Sequence, residues 1–172
     1  MNTNRIGGDG FYPVDERVGF GLEFPINRYL TVVPSYLYRA SQPSRGVWQY
    51  EHRMRLDATV GKSWDAFGVK NRSRVERLVR HSRSDLTRYR NRTTFTVPIE
   101  KANKKLFDAY VSIEPFYDVT NGIWTNYEFF SGISRNFGGN VSASFAYLRR
   151  GNLSANSQII NGVSVNVTVS ID

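Results

Sequence analysis

Over most of this chain, polar and apolar residues alternate one by one. In residues 49–62, Glu51, Arg53, Arg55 and Asp57 share one parity, while Tyr50, His52, Met54, Leu56, Ala58 and Val60 share the other. In residues 67–79, Lys70, Arg72, Arg74 and Glu76 oppose Phe67, Val69, Val75 and Val79, with Asn71, Ser73 and Arg77 interrupting the apolar series. In residues 87–99, Arg88, Arg90, Arg92, Thr94 and Thr96 oppose Tyr89, Phe95, Val97 and Ile99. Successive side chains of a strand point to opposite faces, so a period of two predicts three neighbouring strands with charge on one face only.

The rest of the chain repeats the pattern with less charge. Strands are expected over residues 17–24, 30–40, 106–117, 124–135, 141–149 and 159–171. The last of these sets Val163, Val165, Val167 and Val169 against Ser164, Asn166, Thr168 and Ser170. Turn chemistry separates the runs: DVTNG and NFGGN supply Asn-Gly and Gly-Gly steps that accept positive φ. Pro34 falls inside its strand and cannot donate to a ladder, so that strand is expected at an edge, bulged or irregular. Residues 1–14, with three glycines and Pro13, read as irregular, 11–14 being a short strand candidate. The domain proper is then 15–172, with about nine strands and no helix.

Alternation alone also fits a soluble antiparallel sheet with one wet face. Length and chemistry separate the two readings. The runs extend for about 10–14 residues, against a usual strand of about 5–6, and a tilted bilayer-spanning strand needs about 9–11. The polar face carries stacked arginines with carboxylates between them, which suits a barrel interior where cross-strand ion pairs satisfy each charge. The expected fold is all-β: an antiparallel up-and-down meander forming a transmembrane-type barrel of about 9–12 strands. Bacterial barrels have even strand numbers, so nine implies a further strand within 1–14 or upstream. The competing expectation is a soluble barrel or sandwich that binds acidic ligands or nucleic acid through the arginine face.

Composition narrows this picture. At 172 residues the chain is one domain, and 40% hydrophobic content with mean hydropathy −0.43 leaves no run long enough for a membrane helix. Barrel strands alternate and keep hydropathy low, so that result leaves them open. There is no cysteine, which excludes disulfides and thiolate metal sites, and two histidines make a histidine metal site a poor expectation. The net charge of +8 would suggest nucleic acid, but the excess cations lie at alternate strand positions, which disfavours that partner. The opening MNTNRIGGDG has no apolar core and does not read as a secretory signal, so an exported protein would carry one upstream.

Four motifs, YEHRMRLD, RSRVERL, RYRNR and NYEFFSGISRNF, give this chain a family likeness. In order and spacing it resembles the predicted bacterial outer-membrane barrels called domain of unknown function 2490. The matching positions are Glu51 and Arg53; Arg72, Arg74, Glu76 and Arg77; Arg88, Arg90 and Arg92; and Asn126, Glu128 and Arg135. The resemblance implies an outer-membrane location and a barrel fold, and it implies no reaction.

The candidate site is therefore a charge network in the lumen: Glu51, Arg53, Arg55, Asp57, Lys70, Arg72, Arg74, Glu76, Arg88, Arg90, Arg92, Glu114 and Glu128. Its cations outnumber its carboxylates, so it either braces a side-chain-filled barrel or lines a path for small anions. The lipid-facing set is expected to include Leu56, Val69, Phe95, Phe129, Phe145, Val163, Val165 and Val167. Tyr36, Tyr38, Trp48, Tyr50, Trp64, Trp124 and Tyr127 are candidates for interfacial girdles. No catalytic residue is expected. There is no G-x-S-x-G elbow, His52 lies on the apolar parity, and arginine neighbours should keep Glu76 and Glu128 ionised. The expected partners are outer-membrane lipid and small anions, with no cofactor and no metal; oligomeric state is not legible. The Asn-x-Ser/Thr triplets at Asn71, Asn91 and Asn166 fall within strands and do not read as glycosylation sites.

Overall fold

A computed structural model describes the backbone of residues 2–7, 10–44, 46–81, 83–102, 104–138, 140–153 and 159–169, and side chains from Asp15 onward. Among the described residues eleven strands are formed: β1 (Asn2–Gly7), β2 (Gly10–Gly21), β3 (Phe24–Pro25), β4 (Leu30–Ser44), β5 (Val47–Ser63), β6 (Gly68–Arg80), β7 (Leu86–Lys101), β8 (Lys104–Asp118), β9 (Ile123–Gly138), β10 (Val141–Asn152) and β11 (Ile159–Val169). No described residue is helical.

The sheet is a meander. Strands pair in the order β1-β2-β4-β5-β6-β7-β8-β9-β10-β11, every contact antiparallel, with β3 as a short addition to β4. It curls into an incomplete barrel. The curl brings strands that are not neighbours within side-chain reach. Arg72 of β6 meets Glu114 of β8 at 2.7 Å, and Arg150 of β10 lies 5.8 Å from the Phe116 ring of β8. Glycine permits the tightest approach, since a Cβ at Gly132 would come within 2.6 Å of the Ala146 Cβ.

Nine of these strands coincide with the alternating runs of the sequence. Residues 1–14 require a correction: the backbone of β1 pairs with the first half of β2, Asn2 opposite Glu16 and Gly7 opposite Gly10. Main-chain pairing, not side-chain alternation, makes that hairpin, so the pattern did not reveal it. Among the described residues the continuous path therefore holds ten strands, and its end strands β1 and β11 run antiparallel to each other. That relation and the even number are what barrel closure needs.

Pro34 lies in an interior strand. Its carbonyl accepts the Leu22 amide at 3.1 Å, so its nitrogen faces the same side, where β2 has ended at Gly21 and β3 has not begun. The missing donor falls in that gap. The turns follow their chemistry: Gly122 has φ 68°, Gly138 φ 82° and Asn140 φ 65°, and Asp118 Oδ1 accepts the Asn121 amide at 3.0 Å. Ile171 of the expected last strand and residues 154–158 of the late loop lie outside the described residues.

Burial is inverted relative to a soluble fold. The fully buried large side chains are Phe116, Glu76 and Glu114. Val163, Val165 and Val167 are 66%, 68% and 68% exposed. Apolar side chains occupy the convex face and charged ones the concave face.

Candidate functional site

The concave face is built by the parity of β5 to β9. On β5, Glu51, Arg53, Arg55 and Asp57 point inward; register places them opposite Arg80, Leu78, Glu76 and Arg74 of β6. On β7, Arg88, Arg90 and Arg92 stand opposite Glu76, Arg74 and Arg72. Glu114 of β8 stands opposite Glu128 of β9. Side chains of like sign face one another at several of these pairs, so each charge finds its counterion diagonally or across a strand.

Three glutamates collect the arginines. Glu76 lies within 4 Å of four guanidiniums: Arg88 at 2.5 Å, Arg55 at 3.4 Å, Arg90 at 3.5 Å and Arg74 at 3.6 Å. Glu114 takes Arg72 at 2.7 Å, Arg90 at 2.9 Å and Arg92 through both its Nε, at 2.7 Å, and its Nη2. Glu128 meets Arg92 at 3.6 Å, Arg150 at 3.7 Å and Arg90 at 3.8 Å. Arg90 thus touches all three. Asp57 forms a two-pronged pair with Arg74, both contacts 2.5 Å, and Arg53 bonds Glu51. Delocalised guanidinium planes can serve several acceptors at once, which an ammonium cannot do in the same geometry.

Of the thirteen residues expected in the network, ten are linked to one another through ion pairs, and Glu51 and Arg53 form a separate pair beside them. Lys70 stands apart: it is exposed, and among the described residues no carboxylate lies within 4 Å of it. Other members were missed. Phe116 continues the inward parity of β8 and is 2% exposed, with Arg90 4.2 Å and Arg88 5.2 Å from its ring centroid. These cation–π contacts cap the network with an apolar surface. Arg150 falls just past the run expected over residues 141–149, but β10 extends to Asn152 and turns it inward beside Glu128. Asp15 pairs with Arg17 and Arg39, each at 2.7 Å, in a smaller cluster on β2 and β4. Simple continuation of parity would have found Phe116; nothing in the sequence pointed to the reach of Arg150.

Beyond the glutamates the concave face runs on toward the turn at residues 64–67. A cavity of about 380 Å³ opens there, with Lys70, Arg72 and Arg92 on one side and the hydroxyls of Thr59, Tyr110 and Ser144 around it. A second cavity of about 670 Å³ adjoins it through Lys70 and Thr96 and carries Arg28, Lys62 and Lys105.

The expected lipid-facing residues all lie on the convex face. Leu56, Phe95, Phe145, Val163, Val165 and Val167 are exposed; Val69 and Phe129 are half-buried beside outward neighbours. One row runs unbroken across five strands, Val97, Ala109, Ile133, Phe145 and Val165 being register partners in turn. Polar groups on this face are satisfied locally. His52 Nδ1 and Tyr36 Oη are 2.6 Å apart, and Asn71 and Asn91 exchange amide bonds at 2.9 and 3.0 Å.

Aromatic rings gather toward both ends of the strands. Trp48 stacks on Tyr50 at 6.4 Å and Tyr117 meets Trp124 at 5.0 Å near one end; Trp64 stacks on Phe67 at 4.7 Å and Phe67 on Phe95 at 5.5 Å near the other. Tyr36 is not at a strand end but pairs with Phe20 at mid-face, 5.8 Å between centroids. From Tyr50 to Val60 the outward face of β5 covers ten residue steps. At about 3.3 Å per step and a tilt near 40°, that is a band about 25 Å tall.

The fold and site define a class: a meander β half-barrel with a charged interior and an apolar exterior. The chain matches, over residues 4–160, the family described as Protein of unknown function (DUF2490), and it belongs to that family. A search of curated proteins found no match.

Proposed function

We propose that this protein is a β-barrel of a bacterial outer membrane, with a lumen braced by arginine–glutamate pairs and no catalytic centre. One observation carries the reading. Residues that a soluble fold would bury are on the outside, Val165 at 68% exposure, and residues that it would solvate are inside, Glu76 and Glu114 at 0%. Monomeric soluble proteins rarely expose contiguous apolar patches beyond a few hundred Å², whereas lipid requires such a surface. The two aromatic bands and the apolar height of about 25 Å between them add support, since both fit the interfacial girdles and the hydrophobic band of such barrels.

The middle of the lumen is filled by the network and Phe116, which supports a structural role. Any passage requires the network to open, and its surplus of cations would then favour small anions. His52, bonded to Tyr36 on the outer face, is remote from the charged interior, which supports the absence of catalysis. The burial of the carboxylates weighs against the soluble alternative, in which the arginine face would be wet and open to nucleic acid.

The test is refolding into detergent micelles. The expected result is a folded species that migrates differently on gels before and after boiling, and a chain that aggregates without detergent. A stable, monodisperse fold in buffer alone would overturn the proposal.

A further inference from the structure

Three cations of the concave face converge on one place, two of them at the edge of the ion-pair network and one outside it. Lys70, Arg72 and Arg92 line the same cavity of about 380 Å³, and no described residue lining it is a carboxylate. Arg72 pairs with Glu114 through one nitrogen, and Arg92 turns its Nε and Nη2 to Glu114 and lies 3.6 Å from Glu128. Arg72 Nε is buried and has no acceptor among the described residues. Lys70 has no ion pair among them. The remaining wall is hydroxylic: Thr59, Tyr110 and Ser144 can each donate or accept. The adjoining mouth adds Arg28 and Lys62, while Lys105 is held by Asp108 at 2.8 Å. Cations lining a concave wall concentrate anions at its centre.

We infer that this cavity binds a phosphate-type oxyanion, free or carried on a small polyol, between Lys70, Arg72 and Arg92. Guanidinium forks match tetrahedral oxyanions, and Lys70 supplies a mobile point charge. The hydroxyl wall leaves room for a sugar-like body. This deepens the anion reading above and rests on its inward-facing lumen, but not on the lipid outside it.

Isothermal titration of the full chain folded in micelles tests it, with inorganic phosphate, a hexose phosphate and the unphosphorylated hexose as probes. Both phosphates should bind, the hexose phosphate more tightly, and the bare hexose should not. Lys70→Gln should weaken phosphate at least tenfold, since a hydrogen bond to a charged group is worth about 1.5–3 kcal/mol. Arg83→Gln, in the turn at the opposite end, should leave it unchanged. On the unaltered protein, sulfate should displace phosphate, and chloride at equal ionic strength should not. No phosphate binding, equal binding by Lys70→Gln, or displacement by chloride would each overturn the assignment. A barrel that shifts on boiling but binds no phosphate would refute this site and leave the membrane reading intact. Phosphate binding by a chain that folds without detergent would do the reverse.

Discussion

Glu76→Gln tests the network at its centre. The change keeps the shape of the side chain and removes one charge. Glu76 is 0% exposed and has four guanidiniums within 3.6 Å. Each such pair contributes on the order of 4 kcal/mol of gross Coulomb attraction at an effective dielectric constant of about 20. Burial of the charges and repulsion among the four arginines cancel most of that sum. What the mutation exposes is the penalty of leaving cations unpaired in a poorly hydrated interior, about 3–5 kcal/mol. Urea titration of the barrel in micelles, followed by tryptophan fluorescence, measures it, with Glu16→Gln on the exposed face of β2 as control. The double variant Glu76→Gln/Arg88→Gln should recover part of the loss, because it removes the cation that Glu76 holds most closely, at 2.5 Å. A cost for Glu76→Gln below about 1 kcal/mol, or strict additivity in the double variant, would refute the idea that these charges are paired away from water.

Three further outcomes follow from the same geometry. Val165→Arg, in the apolar row of β11, should destabilise the micelle-folded protein by about 2–4 kcal/mol, while Ser164→Arg, one step away and facing the lumen, should cost clearly less in the same urea assay. Phe116→Ala should cost about 3–5 kcal/mol, since it removes a fully buried ring and the surface on which Arg88 and Arg90 stack; a loss under 1 kcal/mol would mean that the ring is not part of the brace. Gly132→Val should block or greatly slow refolding, because its Cβ would meet the Ala146 Cβ at 2.6 Å, and normal boiling-sensitive migration of that variant would show that the β9–β10 approach is looser than described.

Strand identity and facing were legible because both are local. A period of two needs no knowledge of the partner strand, so Glu51 to Asp57, Lys70 to Glu76 and Arg88 to Arg92 could be assigned to one face from spacing alone. The β1–β2 hairpin was not legible, since backbone pairing carried it through a glycine- and proline-containing stretch without alternation. Pro34 could be marked as an irregularity but not located, because its tolerance depends on where β2 stops.

The amino-acid order alone thus determined an all-β meander whose strands each carry a charged and an apolar side. Only the tertiary structure decided which side is inside, because the direction of curl belongs to the whole sheet and not to any strand. It also decided which arginines share which glutamate. Those contacts skip strands, as Arg72 does in reaching Glu114, and depend on curvature and register together. For the same reason spacing alone set Lys70 on a par with Arg74. The fold clamps half-buried Arg74 onto Asp57 and leaves Lys70 at the edge of an open cavity, with no described carboxylate within 4 Å.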